Sequence, residues 1–321
     1  MIKEARNYPA DSYPLVYALI LNYQSLEDTL ECVVATSASD YPNLRLLIMD
    51  NASPDGSGEI LARKISSNEF LQLATNFGYA EGNNIGIRLA VEAGAEFIFI
   101  LNPDVRVGSQ TISECVRVAR ADSTIGAVNP IQICDENGLI DRKFRNAILV
   151  PAGSETAVYQ AESFPELLEV RDLLGAALFL PVRVIERVGG FDPLYFAYGE
   201  ETDLCRRFRY HGFRLVVTGR APVRHLRTKE STGVSDRILF LRLKGIYLGK
   251  LKDPWRSFRR SVRLIIIQFV QEMLGTRHNE YPFNQYPVTR MHSIRAFLWV
   301  VAHLLRIRQH RRIEQMGRAH V

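Results

Sequence analysis

The sequence predicts an α/β fold: a mostly parallel central sheet flanked by helices, with a C-terminal helical appendage. Three observations carry this. From Val16 to about Asn102, short β-rich runs alternate with longer helical patterns, the order that builds a parallel sheet with helices on both faces. The β-rich runs are continuously apolar, as suits strands covered on both sides. Polar residues cluster where the runs stop, at Asn22-Tyr23, Asp50-Asn51, Asn76 and Asn102-Pro103-Asp104. Ligands of open α/β sheets bind outside the carboxyl ends of the strands, so polar groups gathered at that edge predict a site.

Element by element, Val16 to Leu21 is a buried strand, Leu26 to Ser37 a helix, and Leu44 to Met49 a second strand ending at Asp50-Asn51. Gly58 to Ile65 reads as a helix, Leu71 to Ala74 as a short strand, Ala80 to Ala93 as a helix and Glu96 to Leu101 as another strand. A helix at Gln110 to Ala121 leads to an extended piece from Gly126 to Ile133 and a turn at Glu136-Asn137-Gly138. Arg142 to Pro165 has little periodicity and reads as a long loop of the kind that serves as a substrate lid. Leu173 to Leu180 is a strand, and Val182 to Val188 and Glu201 to His211 are helices. From Ser235 the tail reads as two or three amphipathic helices, punctuated by Asp253-Pro254 and by Tyr281 to Pro287.

The 321 residues are 47% hydrophobic and 23% charged, enough for a full core in one large domain or one domain with an appendage. Cys32, Cys115, Cys134 and Cys205 have no short spacing, which argues against a zinc site or disulfide framework and for thiols in a reducing compartment. No secretory leader is read at the N-terminus, and no run approaches the ~18 to 20 apolar residues of a membrane span, so a cytoplasmic protein is expected. Charge is uneven. From Lys252 onward there are 13 Lys and Arg against 4 Asp and Glu, a net of +9; the whole chain is +5, so the part before it is 5 − 9 = −4.

Each motif has a plain reading beside its chemical one. Asp55 and Ser57 suffice to cap the next helix, whereas Asp50 is not needed for capping and could accept a ring N–H from a base. Asn76 to Asn84 is rich in Gly and Asn and opens a helix, but lacks dinucleotide and P-loop spacings; Gly78 and Gly82 would let backbone approach a ligand. Asn102-Pro103-Asp104 is either an Asx-type turn or a carboxylate holding a divalent ion on a diphosphate. Glu200, Glu201 and Asp203 crowd one helical turn, more charge than the helix N-terminus alone explains, behind the aromatics Phe191, Tyr195, Phe196 and Tyr198. His225 ends an extended stretch and could join Asp104.

In order and spacing these pieces resemble glycosyltransferase family 2, the inverting GT-A fold group, and its bacterial rhamnosyltransferase-like branch, over about residues 14–231. The pieces are Leu21-Asn22-Tyr23, Asp50 to Ser53, Asn76 to Asn84, Leu101 to Asp104, Gly189 to Asp192, Tyr198 to Leu204 and His225. The resemblance implies a catalytic domain over 1–234, with a nucleotide-binding half at 14–108 and an acceptor half at 109–234, and a basic helical region at 235–321. It implies that Asp50 contacts the base, that Asn22, Tyr23 and Asn51 line its pocket, and that Asn76, Gly82 and Asn102 sit by the donor. Asp104 would be the metal carboxylate, helped by His225. Asn102 replaces the first acid of the family's metal motif, so the expected Mg²⁺ or Mn²⁺ is weakly held. The general base falls among Glu201, Glu200 and Asp203, in that order; Glu201 stands where the family usually has Asp.

The function implied is inverting transfer of a sugar, dTDP-rhamnose first and UDP-sugars second, to a glycan or lipid-linked glycan in cell-envelope polysaccharide synthesis. A scaffold that binds glycan without catalysis and a sugar nucleotidyltransferase are the alternatives; the latter would want a basic Gly-rich loop where Asn22-Tyr23-Gln24-Ser25 stands. The tail, with Trp255, Phe258 and Leu264 to Phe269 beside Arg256, Arg259, Arg260 and Arg263, suits an anionic membrane surface or packing on the catalytic domain. A homodimer is a further expected partner; nucleic acid is not.

Overall fold

The structure is a computed structural model and describes residues 13–135, 137–146, 161–227, 235–276 and 288–317. Expectations for Glu136, for 147–160 of the long loop, for the domain boundary at 234 and for Tyr281 to Pro287 lie outside the described residues.

The N-terminal half is a wound α/β unit: β1 (Val16–Asn22), α1 (Leu26–Ser37), β2 (Leu44–Asp50), α2 (Ser57–Lys64), β3 (Phe70–Gln72), α3 (Gly78–Glu92) and β4 (Phe97–Leu101). There follow β5 (Val105–Val107), α4 (Thr111–Ala121), β6 (Ile125–Ile133), a helical turn α5 (Arg142–Phe144), β7 (Leu167–Val170), β8 (Ala177–Pro181), α6 (Val182–Val188), α7 (Glu200–Tyr210) and β9 (Arg214–His225). Four helices close the chain: α8 (Asp236–Leu251), α9 (Phe258–Leu274), α10 (Arg290–Ala302) and α11 (Leu304–Met316).

The strands form one sheet in the order β3-β2-β1-β4-β8-β6-β9-β5, with β7 also on β9. β3, β2, β1 and β4 are parallel; β8 runs against both β4 and β6; β6 and β9 are parallel; β5 and β7 run against β9. The continuous apolar strands are explained by their two covered faces. Val16, Ala18 and Ile20 of β1 join Phe97 and Phe99 of β4 on the α1/α4 side, while Leu19, Ile98 and Ile100 join α3, α6 and α7 on the other.

The sequence missed β5, β7 and most of β9. β5 and β7 are too short to show a period. β9 is interrupted by Gly219-Arg220-Ala221-Pro222, which reads as a turn, yet an irregularity in its register with β6 between Pro130 and Gln132 lets the strand continue. The strand expected from Leu173 begins only at Ala177, because the Leu173 and Leu174 amides are diverted to Cys205 Sγ and Asn129 Oδ1. Among the described residues the tail holds four helices rather than two or three. It is no loose appendage: Leu194 and Tyr195, from the segment before α7, lie in one apolar core with α8, α9, α10 and α11.

Candidate active site

At the carboxyl edge of β1 and β2, Asn22 lies opposite Asp50. The Asn22 amide donates to Asp50 (2.6 Å) and Ser57 Oγ (3.0 Å), while its oxygen accepts from the Ser25 amide and Thr29 Oγ1. Asp50 also accepts from the Ser53 amide and hydroxyl and from Gln72 Nε2 (2.7 Å). All four acceptor positions of the carboxylate are thus used. Both residues are buried. Asn22 therefore frames the pocket instead of lining it. A base N–H reaches Asp50 only by displacing Gln72, whose side chain sits on the exposed edge strand β3.

Asn51 and Asn76 build the entry to α3. Asn51 donates to Asn76 Oδ1 and the Gly78 carbonyl and accepts from the Phe77 amide; Asn76 Oδ1 accepts from the Gly78 amide. Gly82 has a different use from the one expected. A Cβ there would come within 2.8 Å of Leu21, and one at Gly86 within 2.6 Å of Met49, so these glycines let α3 lie close on the sheet. Of the expected donor contacts, Tyr23, Asn76, Asn102 and Asp104 retain solvent access, and Asn22, Asp50, Asn51 and Gly82 form the frame behind them.

The β5–β9 pairing brings His225 to Asp104. Val105 lies opposite His225, and the Leu226 amide donates to the Asp104 carbonyl. His225 Nε2 stands 3.4 Å from Asp104 Oδ2, and its Nδ1 is 3.0 Å from Gln132 Oε1. That oxygen only accepts, so Nδ1 carries the hydrogen and Nε2 turns a lone pair toward the carboxylate unless a second proton binds. Burial pushes the Asp104 pKa up, but a doubly protonated His225, through its bond and charge, together with a backbone bond and Arg227, holds it below the ordinary value. An imidazole lone pair facing a carboxylate fits a divalent ion completed by diphosphate and water oxygens. Among the described residues no group of three or more His, Cys, Asp and Glu could enclose a metal.

The three acids of α7 have separate fates. Glu200 is buried, and burial first, then the charge of Glu201, push its pKa well up. Glu201 is also raised by burial, against backbone bonds at the helix start and a hydrogen bond from Glu200. The pair therefore shares a proton held on Glu200, leaving Glu201 the more basic-ready carboxylate. Each keeps one buried oxygen without a partner. Asp203 is committed elsewhere: it accepts from Tyr195, Arg207 and Lys252, and these cations hold its pKa low despite burial. It is a structural anion, which corrects its place among the candidate bases.

Tyr79 feels both groups of acids: burial first, then the charges of Glu200, Glu201 and Asp104, raise its pKa. Its hydroxyl donates to the Gly175 carbonyl. Sequence reasoning also passed over Asp172, which has a buried unpartnered oxygen and whose charge is felt by Glu201, and Lys244 of α8, a buried ammonium whose charge reaches Glu200. Only the fold brings these residues near α7. Backbone strain gathers here too. Among the described residues, the positive-φ non-glycines are Gln24, Ala52, Phe196, Tyr198 and Arg227, each in a loop bearing one of the residues above.

Over residues 18–175 the chain matches the family model Glycosyl transferase family 2. It is 29% identical over 210 residues, 59% of this chain and 68% of the relative, to an N-acetylglucosaminyl-diphospho-decaprenol L-rhamnosyltransferase of Mycobacterium tuberculosis. It is 26% identical over 205 residues, 60% of each chain, to the low-salt glycan biosynthesis hexosyltransferase Agl10 of Haloferax volcanii. Among solved structures it resembles the mannosyltransferase PcManGT from Pyrobaculum calidifontis in complex with GDP-Man and Mn²⁺, with TM-score 0.55 at 16% identity, covering 94% of this chain and 91% of that one. It also resembles S. aureus TarS 1-349 in complex with UDP-GlcNAc, with TM-score 0.51 at 13% identity, covering 83% and 73%. The sheet order, its polar carboxyl edge and these likenesses define a glycosyltransferase of the GT-A fold that uses a nucleotide-sugar donor. The family match covers residues 18–175, about half of the chain, and it is this segment that resembles the family 2 glycosyltransferases.

Proposed function

We propose that the protein inverts the anomeric centre of a nucleotide-diphospho-sugar, dTDP-rhamnose first and a UDP-sugar second, as it transfers the sugar to a hydroxyl of a lipid-linked glycan in cell-envelope polysaccharide synthesis. The acceptor is reached at the cytoplasmic face of the membrane. The rhamnosyl donor and lipid-linked acceptor are supported by the likeness to the mycobacterial N-acetylglucosaminyl-diphospho-decaprenol L-rhamnosyltransferase. The observation that carries the chemistry is the Glu200–Glu201 pair at the start of α7, each with one buried oxygen that has no partner.

In this reading Tyr23 and the loop after β2 hold the nucleoside, and the base N–H takes the place of Gln72 on Asp50. Asn76 and Asn102 border the donor. Asp104 and His225 would hold a divalent ion, which when bound supplies Lewis-acid stabilisation of the departing diphosphate. Glu201 accepts the proton of the acceptor hydroxyl as that oxygen attacks the anomeric carbon from the face opposite the diphosphate. Glu200, protonated, fixes the Glu201 carboxylate and adds no second negative charge. A thermal-shift screen of nucleoside-diphosphate sugars, with and without Mn²⁺, followed by NMR of the product made from the best donor, tests this. A stabilising donor and an inverted product are expected; a product of retained configuration would overturn the mechanism.

A further inference from the structure

The outer helices turn an apolar face to solvent that no described part of the chain covers. On α9, Ile266, Ile267, Val270 and Leu274 are all exposed, Leu274 at 69%. Their spacing puts them on one stripe, opposite Ile265, Gln268 and Glu272, which face the interior. On α10, Met291, Leu298 and Val301 form a second stripe, opposite Ser293, Ala296 and Val300, and Leu305 continues it at 82% exposure. The helices lie side by side through the stacked rings of Phe269 and Phe297, 4.1 Å apart. Several large aliphatic side chains on neighbouring helices make a patch of the kind that marks an interaction surface.

The exposed charges carried by these helices have one sign, the exposed acid next to them being Asp236 of α8 beside His292. The exposed ionisable residues of α9, α10 and the first turn of α11 are Arg259, Arg260, Arg263, Arg290, Arg295 and Arg306. The two acids on these helices, Glu272 and Glu314, are buried, where Tyr247 and Gln268 bond the first and Lys252 the second. A second copy of the chain would set arginine against arginine. A surface with an apolar interior and anionic phosphates above it matches both features.

We infer that the outer face of α9 and α10, apolar stripes flanked by arginines, is the surface by which this protein lies on a bilayer of anionic lipid. This deepens the membrane reading above but does not depend on the donor chemistry. It keeps Arg259, Arg260, Arg263 and part of the Leu264 to Phe269 run that the sequence suggested, adds α10, and leaves out Phe258 and Trp255. The Phe258 ring is covered by Arg308 and Arg311, and Trp255 packs against Tyr210 and Arg209 of the catalytic half.

The test is co-sedimentation of the full chain with vesicles of phosphatidylcholine alone and of phosphatidylcholine mixed with phosphatidylglycerol. Two variants accompany it, Ile267→Ser/Val270→Ser/Leu298→Ser and Arg260→Gln/Arg263→Gln, all at exposed positions. The wild type should pellet with the anionic vesicles only. The serine variant should partition about tenfold less or lower, and the glutamine variant should lose affinity most at low salt. A wild type that stays in solution with anionic vesicles overturns the inference, as does a serine variant that pellets equally well. A vesicle-free dimer that the serine variant dissociates overturns it in favour of a second copy. Thermal shifts with the donor on the same proteins separate the two claims: no shift in any of them counts against the functional reading and leaves the vesicle result standing.

Discussion

The ammonium of Lys252, at the end of α8, lies 3.1 Å from the carboxylate of Asp203 on α7, inside a fully buried cluster. Lys252 also bonds Asp192 and, at 2.6 Å, Glu314 of α11; Arg207 bonds Asp203 at 2.9 Å, and His310 meets Asp192 at 3.0 Å. The cluster ties the segment before the catalytic helix to both ends of the C-terminal region. Lys252→Met would strand three buried carboxylates, and a loss of about 3–5 kcal/mol in urea unfolding is expected. Asp203→Asn should lower stability while its folded fraction keeps turnover. Abolished transfer at unchanged stability would return Asp203 to the candidate bases.

Glu201→Gln should lower kcat by about 10²- to 10⁴-fold and leave donor affinity intact. The pKa of Glu201 lies above the ordinary carboxylate value, so turnover should rise with pH through an acid limb shifted upward. Measuring kcat against pH checks this; a limb at or below the ordinary value would argue for another base.

Glu200→Gln reads the shared proton through stability. A carboxyl whose folded pKa is raised contributes its full stability below the unfolded value of 4.5 and loses it as pH rises through the folded value. The amide imitates the neutral acid at every pH. The variant should therefore melt higher than wild type at neutral pH, by about 2–4 °C for each ~1 kcal/mol recovered, with no gain below the ordinary carboxylate range. Scanning calorimetry at both pH values decides; a lower Tm at neutral pH would mean that Glu200 is held ionised.

Gln132 fixes the His225 ring through its Oε1, while its Nε2 is buried without a partner among the described residues. Gln132→Leu should raise the Mn²⁺ concentration needed for half-maximal transfer by about tenfold or more. His225→Ala should do at least as much. Metal titration of the donor reaction gives the result, and unchanged half-saturation in both variants would remove His225 from the metal site.

Gly245 and Gly249 lie on the same helix and should respond oppositely to alanine. A Cβ at Gly245 would overlap the Tyr198 carbonyl, next to the left-handed turn that starts α7, whereas one at Gly249 meets only the Arg206 side chain at 3.6 Å. Gly245→Ala is expected to cost about 1–3 kcal/mol and to slow turnover by displacing Glu200 and Glu201. Gly249→Ala should be neutral or gain up to about 1 kcal/mol. Equal melting temperatures for the two would show that the turn has room to move.

The wound half was legible because its signals are local. The doubly buried strands from Val16 to Leu101 announce themselves by unbroken apolar runs, and the polar residues ending them mark the ligand edge. Asn22, Asp50 and Gly82 stand out in the sequence by their place at strand ends and in a Gly-rich helix entry, but only packing shows that they are buried behind Tyr23, Asn76, Asn102 and Asp104. Strands such as β5 and β7 carry no period of their own; pairing with β9 defines them, and that pairing sets His225 against Asp104. The choice among Glu200, Glu201 and Asp203 also lay beyond local pattern. All three share one helical turn, and their protonation depends in part on distant residues, Lys244 for Glu200 and Lys252 for Asp203. The sequence by itself determined the α/β order, the carboxyl edge that carries the site and the acids that could serve it. The tertiary structure decided which acid is paired with a cation, which is left unpartnered and which face of the basic helices stays uncovered. Burial and charge pairing arise only when distant segments meet.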